Sequence, residues 1–389
     1  MHVAFSRRTA WPAEENAITR AVTARRAIGA PIHDLTQSNP TTAGLSYPAA
    51  LLGPLADVEA LVYQPESLGH RAAREAVVAH YARHGATVAA ERVVITASTS
   101  EAYSYLFHVL CDAGDEILAP APSYPLFSYL ADLAGVRLVT FPLAYDGVWH
   151  LDLPALAERI GPRTRAIAVV SPNNPTGAYL KTDELAALRA LAREHGLALI
   201  SDEVFAGYPL RDDPTRAPTL ASLPDGLGFA LSGLSKVVAL PQLKLGWIVV
   251  AGDDALANAA LDRLAMVADT FLSVATPVQL AAARLLEGAA PIADAIARRT
   301  ARNLERLRTV LAPPSAATIL DVEGGWYAVV QVPATRSEEE WVLALLDRGV
   351  LVHPGHFFDF AREAFLIVSL LTDEPTFDTG IAELAALIG

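Results

Sequence analysis

Lysine is almost missing from this chain: of 30 basic residues in 389 positions, three are lysines, Lys181, Lys236 and Lys244. Arginine supplies charge, solubility and ion pairs as well, but its guanidinium stays protonated and cannot attack an aldehyde as an amine. A lysine kept against that background is a candidate for imine chemistry. Cysteine is scarcer still. The one residue, Cys111, excludes an intramolecular disulfide, fits a reducing compartment, and lies in an apolar run as a buried hydrophobe would. Positive charge is also in deficit, and a formal net charge of −13 leaves no basic face for nucleic acid or an anionic membrane. No apolar run approaches the ~18 residues of a membrane span. The segment from Arg7 and Arg8 through Trp11 to Glu15 lacks the continuous apolar stretch of a secretory signal. A soluble, cytoplasmic protein with a small-molecule substrate is the expectation.

What is present points to a large core. The chain is longer than one core usually serves, and its 52% hydrophobic content suits two domains. Short apolar runs at 92–96, 116–119, 137–141, 166–170, 197–201, 228–231 and 246–250 alternate with Ala- and Leu-rich helical stretches. That alternation predicts an α/β fold with a mainly parallel seven-stranded sheet covered on both faces by helices. One helix is expected at 182–195, with a threonine cap and a stop at Gly196. Beyond about residue 280 the pattern changes to a long Arg- and Ala-rich helix at 291–311, then Gly324-Gly325-Trp326-Tyr327, an acidic helix from Ser337 and a last strand at 365–370. The expected organisation is a large domain over 46–280 and a smaller α+β domain over 281–389, the latter joined by residues 1–45.

Open parallel sheets bind ligands beyond the carboxyl ends of their strands, and the residues there form a coherent set. The first run leads into Ser98-Thr99-Ser100 and a helix opening at Glu101, small hydroxyls and free amides suited to a phosphate. The fourth ends in Asn173-Asn174-Pro175-Thr176-Gly177, a stiff turn able to fix the direction of an amide. The fifth delivers Asp202 from an apolar strand; an acid so placed is paired, bound to metal or facing a cationic ligand. No histidine cluster stands nearby to support a metal, so none is expected. The sixth ends in Ser235-Lys236. Phosphate cradle, amide, buried acid and strand-end lysine together meet the needs of pyridoxal 5'-phosphate.

On these residues the chain resembles the fold-type I pyridoxal-phosphate-dependent aminotransferases of class I/II, from Ser38-Asn39-Pro40 to the last strand. The resemblance implies that Lys236 is the Schiff-base lysine and the proton shuttle, with Ser235 beside it in the cofactor site. It implies that Asp202 partners the pyridinium nitrogen, that Asn174 donates to the ring oxygen, that Tyr124 stacks on the ring, and that Ser98, Thr99 and Ser100 hold the phosphate. Tyr63 matches a tyrosine that reaches the phosphate of a neighbouring subunit, which implies a homodimer with shared sites. Asn39 and Asn174 fall on the substrate side. The implied activity is exchange of an amino group between an amino acid and a 2-oxo acid. A lyase or decarboxylase on the same fold is the alternative, and a non-catalytic cofactor-binding protein a more distant one.

Three positions depart from that family's usual pattern. Lys244 stands where an arginine normally meets the phosphate, keeping charge but losing the bidentate fork. Phe205 stands where a tyrosine normally assists the ring oxygen. Leu366 is the expected counterpart of an arginine that clamps the substrate carboxylate, and Arg362, His353 and His356 are the nearby groups able to replace it. Lys181, in the polar stretch Lys181-Thr182-Asp183-Glu184, reads as a surface lysine.

Overall fold

Eight strands form the main sheet: β1 (Val93–Thr96), β2 (Glu116–Ala121), β3 (Arg137–Tyr145), β4 (Trp149–Leu151), β5 (Thr164–Val170), β6 (Ala198–Asp202), β7 (Leu227–Gly233) and β8 (Gly246–Gly252). The computed structural model describes residues 3–12 and 14–389. All seven expected runs are strands, and β4 is an eighth, a three-residue hairpin partner of β3 at the sheet edge. The spatial order is β1-β8-β7-β6-β5-β2-β3-β4. Neighbours from β3 to β7 run parallel, whereas β8 is antiparallel to both β7 and β1.

Side chains that alternate along each strand fill two separate cores. In β8, Trp247 and Val249 enter one core and Ile248 and Val250 the other; in β1, Val93 and Ile95 part from Val94 in the same way. Burial on both faces explains why these runs are continuously apolar rather than alternating with polar residues.

A second, four-stranded antiparallel sheet has the order β9 (Thr318–Ile319), β10 (Tyr327–Gln331), β12 (Phe365–Ser369), β11 (His353–Pro354). Ile18, Val22 and Leu35 from the N-terminal segment share its core with Leu345, Leu366 and Phe377, and His33–Asp34 pairs in parallel with Val350–Leu351. Early and late parts of the sequence thus share a core. Helix α3 (Ala290–Val310) links the sheets, with Ile292 and Ile296 in the main-sheet core that holds Trp247 and Leu304 and Leu307 in the core of the four-stranded sheet.

Lys181 is not a surface lysine. Its Nζ lies 2.7 Å from both oxygens of Glu323 and 2.8 Å from Asp213 Oδ2. Glu323, only 2% exposed, also accepts from Arg211 Nη2 at 2.9 Å and the Tyr179 amide at 3.1 Å. This cluster fastens the segment ahead of β10 to the large sheet. The expected threonine cap of α2 (Thr182–His195) is corrected as well: Lys181 is the N-cap, its N–H donating 2.8 Å to Glu184 Oε2, while the Thr182 hydroxyl donates to Thr215 O. Nearby, Gly177 (φ +74°) lies against Gly324, and a Cβ there would come within 2.5 Å of Gly324 O.

Candidate active site

A cavity of ≈ 390 Å³ opens where β1, β5, β6 and β7 end, the place an open parallel sheet reserves for ligands. Ser98, Thr99, Ser100, Tyr124, Asn174, Asp202, Ser235 and Lys236 all line it. Eight positions expected from sequence therefore converge, although they span 139 residues from Ser98 to Lys236.

Lys236 sits in the short helix Leu234–Val237 directly after β7. Its Nζ lies 3.5 Å from Ser38 O, 4.7 Å from the centre of the Trp326 ring and 5.5 Å from that of Phe205. Burial among these groups pushes the amine down to about 8, with the Asp202 carboxylate opposing the shift. About one molecule in ten then carries a neutral amine at pH 7, against fewer than about one in a thousand for a free lysine.

Asp202 is the last residue of β6 and is buried. Burial raises its carboxyl to about 6; the Val204 amide (3.2 Å to Oδ1), the Tyr103 hydroxyl (3.3 Å to Oδ2) and Lys236 pull the other way. The acid is thus held at the sheet end with too few partners for its charge, and a protonated ring nitrogen would complete it. Tyr103 was not foreseen. It lies four residues after Thr99 in helix α1 (Thr99–Leu110), on the face that packs beneath the strand ends.

Two further features match the cofactor. Asn174 is buried and lines the cavity, where its Nδ2 amide group is the donor a ring oxygen would need. Ser98 caps α1, accepting from the Glu101 amide at 3.2 Å, and so presents the free first-turn amides and the hydroxyls of Thr99 and Ser100 to the cavity. Amine, acid, amide and anion cradle fit pyridoxal 5'-phosphate group by group.

Other expected residues lie elsewhere. Tyr63 is 68% exposed and does not line this cavity. Lys244 is exposed in a left-handed conformation (φ +51°) after the turn Pro241–Leu243. Asn39 is exposed and spends its Oδ1 on the amide and hydroxyl of Thr41, at 3.0 and 2.7 Å, so it performs turn chemistry while Ser38 lines the cavity. Leu366 faces the core of the four-stranded sheet and pairs with Val330 of β10; Ile367, one residue on, joins the main-sheet core with Tyr327 and Phe358. The cleft-facing phase of β12 is therefore that of Ile367, one residue from the expected position, and it too is apolar. Arg362 is exposed, and His356 is tied by its amide (2.7 Å) and Nδ1 (3.1 Å) to Glu338. His353 alone of the three lines the cavity.

Such a fold and such a site define a pyridoxal-phosphate enzyme. Residues 55–382 match the model of the family described as aminotransferase class I and II, and the chain belongs to that family, whose members use pyridoxal 5'-phosphate. Among its relatives, glutamate-pyruvate aminotransferase AlaA of Escherichia coli is 30% identical over 314 residues, 78% of this chain and 77% of the relative. Arginine–pyruvate transaminase AruH of Pseudomonas aeruginosa is 31% identical over 295 residues, 75% and 73% of the two chains. The solved structure of an aminotransferase from Escherichia coli superimposes with a TM-score of 0.87 at 24% identity, covering 100% of this chain and 98% of that one. The chain is an aminotransferase. Among the described residues no helix is long and apolar enough to cross a membrane.

Proposed function

We propose that the protein moves an amino group from an amino acid to a 2-oxo acid, with Lys236 carrying the cofactor and shuttling the proton, and that it works as a homodimer. The observation that carries this reading is the pair formed by Lys236, its amine brought down to about 8, and buried Asp202 at adjacent strand ends. When bound, pyridoxal 5'-phosphate supplies an aldehyde that condenses with amines and a ring that takes up electrons from the carbon beside the nitrogen.

The chain's own residues do the rest. Lys236 Nζ, neutral in a usable fraction of molecules, takes the proton from the donor Cα and passes it on from the same atom. The Asp202 carboxylate keeps a proton on the ring nitrogen, with the Tyr103 hydroxyl and Val204 amide fixing its direction. Asn174 meets the ring oxygen, Tyr124 covers the ring, and the Ser98-Thr99-Ser100 turn and Ser235 hold the phosphate. Phe205 and Trp326, both buried and edge-to-face at 5.1 Å, exclude water behind Nζ. The dimer is supported by Val58, Leu61, Val62 and Tyr63, an apolar stretch exposed on one chain. Tyr63 then reaches the phosphate of the neighbouring chain, and Lys244, eight residues beyond Lys236, supplies the phosphate's cation.

Mixing the purified holoenzyme with amino acids tests the reaction. Conversion of the cofactor's absorbance to that of its aminated form, reversed by a 2-oxo acid, is expected. Release of ammonia or carbon dioxide without that interconversion identifies a lyase or decarboxylase and refutes the reading.

A further inference from the structure

The part of the cavity left over for a substrate has a wall of unusual chemistry. Ser38, Pro125, Tyr327, His353, Phe357 and Phe358 form it. Its rings pack on one another: His353 stands edge-on to Phe358 at 5.7 Å and lies 6.1 Å from Phe357, while Tyr327 is 6.3 Å from Phe358. Among the described residues no arginine lines the cavity, and its one cation is Lys236, which the chemistry occupies. His353 opens β11 directly across from Ile367 of β12. Burial lowers its imidazole below the ordinary histidine range, Asp34 opposing, so the wall's nitrogen base is neutral at neutral pH.

Building on the aminotransferase reading, we propose that this cavity takes amino donors whose side group is neutral and apolar or aromatic, rejects dicarboxylic donors, and owes that choice to His353. A second carboxylate would be pressed against aromatic rings with no cation to pair it, an expensive burial for a full charge. An apolar side group meets the same surface favourably and brings no second charge that needs a partner. His353 is the decisive position because it is the one nitrogen base on that wall and faces the cavity, with Tyr327, from the second sheet. A cation in its place would supply the pairing charge that a dicarboxylate needs, and specificity turns on such a difference between two ligands.

The test uses wild-type holoenzyme and His353→Arg, with Phe357→Arg as a second variant that places the charge on the same wall. Rapid-mixing half-reactions compare phenylalanine and leucine with glutamate and aspartate. In parallel, the unreactive ligands 3-phenylpropionate and glutarate are titrated against the cofactor's absorbance and the thermal midpoint. Wild-type enzyme is expected to prefer the apolar donor and the apolar ligand by at least about tenfold, roughly 1.4 kcal/mol. An arginine on the wall is expected to cut that preference about tenfold or more. The ligand titration does not depend on turnover: if no donor reacts yet 3-phenylpropionate still binds better, the transamination reading fails and the pocket's selectivity stands. Glutarate binding as tightly as 3-phenylpropionate in the wild type, or glutamate reacting faster than phenylalanine and leucine, overturns the proposal whether or not the variants fold.

Discussion

Replacing Asp202 with asparagine should make the cofactor-free protein more stable while disabling it. The carboxyl is raised to about 6, mainly by burial, from an ordinary value of 3.8. An unfolded chain ionises the same group near pH 3.9. Between roughly pH 4 and 6 the native state therefore binds more protons than the unfolded state, and stability falls as pH rises through that window. A separation of about two pH units corresponds to about 3 kcal/mol, fully lost above pH 6. Asparagine avoids this loss: its Oδ1 can still accept from the Val204 amide, and its Nδ2, standing where Oδ2 accepted from Tyr103, can donate to that hydroxyl instead, but the attraction to Lys236 disappears. A net gain of about 1–2 kcal/mol at neutral pH remains. Urea unfolding of the two apo proteins at about pH 4.5 and about pH 7.5 measures it. The variant should be the more stable at the higher pH, with the advantage shrinking at the lower, and should retain cofactor poorly. An asparagine variant less stable than wild type at pH 7.5, or an equal gain at both pH values, refutes the reasoning.

Phe205→Tyr restores a phenol beside Lys236 and should move the pH midpoint of the bound cofactor's visible absorbance down, by less than about one pH unit; no movement would mean that the hydroxyl does not reach the ring oxygen. Lys181→Met takes the ammonium from buried Glu323 while Arg211 stays, and should cost about 2 kcal/mol in urea unfolding; an unchanged midpoint would show the cluster to be energetically idle. Gly177→Ala forces a Cβ to within 2.5 Å of Gly324 O at φ +74°, whereas Gly29 (φ +66°) has nothing within 4 Å. The first variant should lose well over the ~1–2 kcal/mol backbone cost that Gly29→Ala alone carries, and equal losses would place Gly177 in open space.

Strand positions were legible because both faces of the sheet are buried, which turns each strand into an apolar run that no loop imitates. The hairpin strand Trp149–Leu151 was not, since three residues after a turn give no period to read. Residues at strand ends were legible for the same reason as the strands. What escaped was whatever depends on contacts distant in sequence. Tyr103 reaches Asp202 across 99 positions, and Lys181 looks like a surface residue until Glu323, 142 positions later, closes over it. The register of the last strand illustrates a different limit. Leu366 and Ile367 are both apolar, so hydrophobicity cannot say which faces the cleft, and only pairing with β10 and β11 fixes the phase. Asn39 shows a local competition: before a proline its Oδ1 is taken by the amide and hydroxyl of Thr41.

The proposed chemistry depends most on a covalent role for one amine among three. Borohydride treatment of the cofactor-loaded protein, followed by proteolysis and mass spectrometry, tests it directly. One pyridoxyl phosphate per chain on Lys236, with none on Lys181 or Lys244, is the predicted result; unmodified Lys236 peptide, or label divided among the lysines, would contradict it.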